Sequence, residues 1–384
     1  MEETVPFTGC QKELWLASQA SRYEYTETTI WARFIVDNSV IPGFFEEAIR
    51  RSLRHTTLLS ASLCEDDETP YFVIGRHTEP DFRYHDVSGE ADPDAAEAAL
   101  VEAFFEEPVD DRLIRHMVVR TGPELCVIVV KSSHLVLDGM GMMFHMAFLG
   151  DIYTALIHGR EPDLDEPCSG RAAYEEDRAH LSSPRFEKDM AFWERHLEGL
   201  QENRIFRPRP GHPDILGHTR HKRYEIDADV SREIDAALTR FRTTPAVYFA
   251  ALHALFVGFM CDEKNVVVQT PVAFGERRVY ARRQGAQIGM PPLALDLGRF
   301  ATFAQLIDEI AQQNGLFCRH IRTPYQLAMR RMKNRDFSAI ADTFINFLPN
   351  TPGGTPDFKI RVMSQRQDRK STRLNSSHLG KSYA

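Results

Sequence analysis

The stretch Ser133-His134-Leu135-Val136-Leu137-Asp138-Gly139 brings together the residue types that proton transfer needs. Histidine is the side chain whose ordinary pKa lies nearest neutrality, so a held imidazole can take and return a proton at working pH. Asp138, four residues on across a tight turn, suits a charge partner that fixes the loop by pairing with an arginine. Gly139 lacks a Cβ, so backbone or a bulky substrate can approach closely. A purely structural histidine would fit the same spacing. Position separates the two readings: residues 126–130 form an apolar run that delivers His134 to a strand end, where α/β proteins place reactive groups.

Other chemistry-bearing residues read more plainly. Gly139-Met140-Gly141 imitates half of a dinucleotide-binding fingerprint, but the final glycine is missing. Met140, Met142, Met143 and Met146 fit the packed face of a helix, although methionine also suits an adaptable apolar wall. His212, His218 and His221 lie in or beside a proline-rich loop without metal-ligand spacing, so no metal site is expected. Six scattered cysteines with no Cys-x-x-Cys argue against zinc and against a secreted disulfide framework, and point to reduced thiols in a cytoplasm. Two basic runs, Arg277-Arg278 with Arg282-Arg283 and Arg330-Arg331 with Lys333 and Arg335, read as solvated faces that could also dock an acidic partner.

The elements that must position these residues alternate along the chain. Residues 11–20 read as a helix burying Leu14 and Trp15. Residues 29–36 alternate Ile30, Ala32, Phe34 and Val36 on one face, as a strand does. Phe45, Ile49 and Leu53 are four apart, which predicts a helix over 44–53. Asp92-Pro93 opens another helix. Residues 113–120 and 125–131 read as strands, the second apolar enough to be central. A helix rich in Met and Phe is expected over 139–158. The Pro-, Gly- and acid-rich segment 159–168 reads as the crossing between halves. Beyond it, helices are expected from Ser183-Pro184, over 230–241, over 244–261 as a buried core helix, and over 303–322. Strands are expected over 220–226, 265–272, 343–348 and 358–362, with a loop over 204–217.

With 384 residues, 43% of them hydrophobic and 26% charged, the chain has the size and composition of two globular domains. A net charge of −9 disfavours nucleic-acid binding. No run approaches the length and apolarity of a membrane span, and residues 1–7 lack the apolar core of a signal peptide. The expected organisation is α/β, with one lobe over 1–165, a second over 166–368, and a Ser-, Lys- and Arg-rich tail over 369–384 that resembles translated adapter sequence.

Several motifs together resemble the condensation domains of nonribosomal peptide synthetases, in the chloramphenicol-acetyltransferase-like superfamily. Pro6-Phe7-Thr8 through Gln11 to Leu14-Trp15 is similar to that family's first motif, and Leu53-Arg54-His55 to Leu58 to its second. Ser133 to Gly139 matches the His-His-x-x-x-Asp-Gly signature, with Ser133 in place of the first histidine. Residues 152–156, Phe192-Trp193 with Leu197 and Gly199, Thr270-Pro271-Val272 followed by Arg277-Arg278, Ile288-Gly289-Met290, and residues 344–347 match further positions. The resemblance covers residues 5–349. It implies two acetyltransferase-like lobes, each a mixed sheet with packed helices, and an active-site tunnel between them. It implies that His134 acts as general base or proton relay, supported by Ser133, Gly139 and Asp138, the last paired with Arg277 or Arg278. The implied reaction joins a carrier-bound acyl or aminoacyl thioester to an amine. No cofactor is implied to be held permanently, since substrates ride on the 4′-phosphopantetheine of carrier proteins. Carrier and adenylation domains are the implied partners. Two departures, Ser133 and the shortened Met290-Pro291-Pro292-Leu293, leave a degenerate carrier-binding domain as an alternative, and a free-standing, ester-forming acyltransferase as another.

Overall fold

The computed structural model describes residues 2–20, 29–66, 69–107, 111–164, 166–167, 169–200, 203, 205, 224, 226–273, 285, 287–332, 341, 343–347 and 353–367. The chain divides into two compact units. The first comprises Met1–Ala179, Glu276–Ala286 and Asn350–Asp368; the second comprises His180–Gly275, Gln287–Pro349 and Arg369–Ala384.

The first unit contains strands β1 (Glu3–Pro6), β2 (Thr29–Val36), β3 (Ser62–Asp66), β4 (Thr69–Ile74), β5 (Phe82–Asp86), β6 (Ile114–Gly122) and β7 (Leu125–Ser133), with helices α1 (Gly9–Ala20), α2 (Pro42–His55), α3 (Pro93–Glu106), α4 (Gly139–Ile157) and α5 (Gly170–Leu181). The second unit holds α6 (Pro184–Leu197), α7 (Ala228–Phe241), α8 (Pro245–Cys261), β8 (Asn265–Gln269), β9 (Val272–Ala273), β10 (Ile288–Gly289), β11 (Pro292–Asp296), α9 (Phe303–His320) and α10 (Tyr325–Arg331). Strands β12 (Gly353–Thr355) and β13 (Phe358–Gln367) return to the first unit.

Local chemistry explains most helix starts. Asp92, Ser183 and Thr244 each accept a hydrogen bond from a backbone N–H three residues on, and a proline follows each at the first helical position. In the first unit, six strands form one sheet in the order β12-β13-β2-β7-β6-β5. Every neighbouring pair is antiparallel except β5 with β6. Both faces of this sheet are covered, which is why β7 is apolar from Leu125 to Val130. Ile128 and Val130 pack in the same core as residues of α2 and α4, while Val127 and Val129 pack with Trp31, Val101 and Phe104 on the other side. A separate sheet, β1-β4-β3, adds Val5 and Phe72 to the larger core.

Four sequence expectations change. The strand expected over 265–272 is two strands in different sheets, β8 paired with β11 and β9 with β10; Pro271 between them has no N–H to donate to a ladder. The strand expected over 343–348 reduces, among the described residues, to a single bridge from Phe344 to Gln269. Helix α8 buries only one face (Val247, Ala250, Ala251, Ala254, Val257), because only that side packs into the core of its unit; Leu252, Leu255, Phe256, Phe259 and Met260 on its other side are exposed. Finally, α4 is long and apolar enough to cross a membrane by length and composition. Its apolar residues serve packing instead: Met142, Met146, Leu149, Ile152 and Tyr153 are buried in the first unit's core.

The strand β13 runs beside β2 rather than with the second half of the chain, where its sequence position would put it. Its anchor is Phe358, fully buried between Phe45 and Tyr153. Gly150 of α4 makes the room, since a Cβ there would lie 2.7 Å from the Phe358 ring. The expected strand over 220–226, most of the expected loop over 204–217 and the 369–384 tail fall largely or wholly outside the described residues.

Candidate active site

Strand β7 is central, paired along its length with β2 and β6, and it ends at Ser133. The chain then turns sharply: the Ser133 carbonyl accepts from Val136 N at 3.1 Å and from Leu137 N at 3.2 Å. Ser133 N donates to Leu113 O at 2.8 Å, which ties the turn to β6's leading edge. Leu135, Val136 and Leu137 all point into the core. From residue 131 to residue 138 every residue is buried except His134, which is half-buried. Its Nδ1 lies at the buried edge of the ring. A buried strand end and a buried apolar loop therefore present one half-buried ring at their junction.

Asp138 is the N-cap of α4, and its Oδ1 accepts from Gly141 N at 2.9 Å. The side chain is buried, and the main-chain carbonyl of Asp138 accepts from Met142 N. Gly139 begins the helix. Gly141 is close-packed: a Cβ there would lie 3.1 Å from Leu137 Cδ2 and 3.5 Å from Asp138 Oδ1. Ser133 Oγ accepts from Leu135 N at 3.2 Å, so the serine standing in the signature's first position makes a local bond that steadies the turn. The structure thus brings Ser133, His134, Asp138 and Gly139 together. Arg277 and Arg278, the expected partners of Asp138, lie outside the described residues, as do Arg282, Arg283, Lys333, Arg335, His212, His218 and His221.

Two contacts at this turn escaped the sequence reading. Gln11, noted only as part of a motif, donates from Nε2 to Leu135 O at 2.9 Å. Gly285 donates its N–H to Val136 O at 3.3 Å. A buried histidine pair was also missed. His116 of β6 and His145 of α4 meet Nε2 to Nε2 at 2.8 Å, fully enclosed. Burial holds both rings well toward the neutral form, with His145 lowered to about 4 and His116 lowered further by the His145 ring beside it. In the second unit, buried Asp189 binds His320 Nδ1 at 2.7 Å and Arg185 at 2.9 Å, with Thr323 at 3.3 Å. Of the basic runs, Arg331 pairs with Glu187 at 3.0 and 3.1 Å on an exposed, solvated face. Cys126 is buried, and that burial pushes its thiol pKa up, away from the nucleophilic thiolate form. Among the described residues no three His, Cys, Asp or Glu side chains converge as metal ligands.

A histidine at the end of a central strand, followed by an aspartate-capped helix on a mixed α/β scaffold, is the arrangement that the resemblance led us to expect. The chain belongs to the condensation-domain family, whose model matches residues 1–378. Its relatives are nonribosomal peptide synthetases. It is 25% identical over 333 residues to a dimodular nonribosomal peptide synthase of Bacillus subtilis (strain 168), covering 85% of this chain and 14% of that one. It is 26% identical over 199 residues to the isonitrile lipopeptide synthase of Streptomyces coeruleorubidus, covering 50% of this chain and 13% of that protein. The chain thus spans about one seventh of the length of these relatives. Among solved structures, it is similar to the starter condensation domain of rhizomide synthetase in complex with C8-CoA (TM-score 0.82, 21% identity, 96% of this chain and 84% of that one). The first condensation domain of the calcium-dependent antibiotic synthetase is similar too (TM-score 0.80, 19% identity, 98% and 88%). These likenesses establish the two-lobed acetyltransferase-like fold. Condensation domains catalyse amide-bond formation, an acyl transfer.

Proposed function

We propose that this chain joins a carrier-bound acyl or aminoacyl thioester to an amine, with His134 as general base or proton relay. The observation that carries the reading is that His134 alone stays half-open in an otherwise buried run of eight residues. The amine nitrogen attacks the thioester carbonyl carbon, and the C–N bond forms as the π electrons move to oxygen. The His134 imidazole takes the ammonium proton. When the tetrahedral intermediate collapses, the C–S bond breaks and the thiolate leaves, to be protonated in turn by the imidazolium. No enzyme nucleophile enters the sequence, and holding two tethered reactants in register supplies a large part of the rate. The thioester arms would be phosphopantetheine of carrier domains, loaded by an adenylation domain, and the site of action would be the cytoplasm. Arg277 or Arg278 would pair with Asp138, and the lobe boundaries near residues 165 and 368 are part of this proposal.

The test is His134→Ala with an aminoacyl carrier pair, followed by mass spectrometry of the carrier-bound product. Transfer should fall at least about a hundredfold while the variant stays folded. Full product formation by His134→Ala would remove the base assignment. A second reading, a degenerate domain that binds carriers without chemistry, is motivated by Ser133. It predicts carrier binding with no turnover over a broad donor panel. Transfer to a hydroxyl in preference to an amine would instead mark an ester-forming enzyme.

A further inference from the structure

We infer that Gln11 is a positioning residue for His134, acting through the peptide that follows it. The inference rests on His134 being the reactive group. Gln11 sits in the first turn of α1 and is 1% exposed, so both ends of its amide must find partners. Oε1 accepts from Thr8 N at 2.8 Å and from Thr8 Oγ1 at 3.1 Å. Nε2 donates to Leu135 O at 2.9 Å, across 124 residues of sequence. On the other side of the same residue, Leu135 N donates to Ser133 Oγ. Leu135 is therefore held at its N–H and at its C=O, one position after His134.

Gly285 closes the arrangement. Its N–H donates to Val136 O, so the next carbonyl is held as well. Gly285 has a φ of +95°, and a Cβ on it would lie 2.6 Å from Gln11 Nε2. Only glycine combines that backbone with room for the glutamine amide. Three stretches far apart in sequence thus meet at the backbone that carries the imidazole. Glutamine is the side chain this needs: one planar group that accepts toward Thr8 and donates toward Leu135. Glutamate has the same shape, but when ionised it can only accept, and it would face the Leu135 carbonyl with a like partial charge.

The test uses the full chain and two variants, Gln11→Glu and Gly285→Ala. Amide hydrogen exchange is followed by mass spectrometry on peptides spanning the turn, whose reporters are the N–H groups of Leu135, Val136 and Leu137. Both variants should speed exchange there about tenfold, as the loss of one such hydrogen bond implies, while β7 amides over 126–131 keep their protection. With an aminoacyl carrier pair, kcat should fall about tenfold with KM for either carrier unchanged, and Gln11→Asn should recover less than half of the loss because its side chain is one methylene short. A role in folding alone would speed exchange across β7 as well, and unchanged turn exchange in a folded Gln11→Glu and a folded Gly285→Ala would equally overturn the proposal. His134→Ala, run beside them, separates the two claims: full turnover in that variant defeats the base assignment, whereas the turn's exchange tests the positioning by itself.

Discussion

The His116–His145 pair should make the first unit labile to mild acid, and the size of the effect follows from its enclosure. With Nε2 facing Nε2 at 2.8 Å, one neutral ring donates and the other accepts. An added proton must go to a buried nitrogen, and His116 Nδ1 has no partner among the described residues. Unfolded, each ring titrates near 6.5; folded, His145 does so at about 4 and His116 also lies well below 6.5. A histidine with a lowered folded pKa leaves stability intact above 6.5 and removes it as pH falls from there toward the folded value, because the unfolded chain then binds the extra proton. For His145, still neutral at pH 5, the loss between pH 7 and pH 5 is about 2 kcal/mol, and His116 adds to it in the same direction. That is a large part of a domain's typical 5–15 kcal/mol. The assay is urea denaturation at pH 7 and pH 5 in a Trp193→Phe background, so that emission reports Trp15 and Trp31 of the first unit. Replacing both histidines by leucine should be nearly neutral at pH 7, since donor and acceptor leave together, and should abolish most of the acid sensitivity. Differencing against that double variant cancels other groups, including Asp151, whose carboxyl is pushed up by burial. If wild type and double variant lose equal stability between pH 7 and pH 5, the reasoning about this pair is wrong.

Two further outcomes test the scaffold around the site. Asp138→Ala removes the cap of α4 and should cost about 1 kcal/mol in denaturant unfolding, and Asp138→Ser should recover part of it. Gly150→Ala forces a methyl to within 2.7 Å of the Phe358 ring and should cost about 1–3 kcal/mol; a Phe358→Leu background, which frees that space, should reduce the penalty.

How much could be read from the sequence depends on the range over which each feature is determined. The helix starts at Pro93, Pro184 and Pro245 were readable because capping is settled within four residues. The turn at His134 was readable for a related reason: an apolar run, His134, Asp138 and a helix-opening glycine all fall between residues 126 and 139. Pro271 was visible too, and it should have ended the 265–272 strand; the run of valines before it hid the break. What escaped was pairing at a distance. Nothing near Gln11 says that its amide will meet Leu135, and nothing near Phe358 says that its strand will lie beside β2. His116 and His145 fall on a strand and a helix whose facing sides only the packed core defines. The exposed face of α8 was misread because an all-apolar helix carries no periodic signal of which side is covered.

The chemistry of the turn explains why such distant residues are recruited there. Residues 135–138 are buried, so each backbone N–H and C=O they carry must be satisfied within the protein or pay for its lost hydration. A free turn of this length cannot meet that demand alone. Ser133 supplies its carbonyl to two N–H groups and its hydroxyl to a third; Asp138 serves Gly141. The carbonyls of Leu135 and Val136 point away from the turn and need outside donors, which Gln11 and Gly285 provide. A serine can occupy the signature's first position because the demand made on that side chain here is one acceptor atom at Leu135 N. The demand on position 134 is different in kind, since its ring is the one group in the run that the fold leaves half-open.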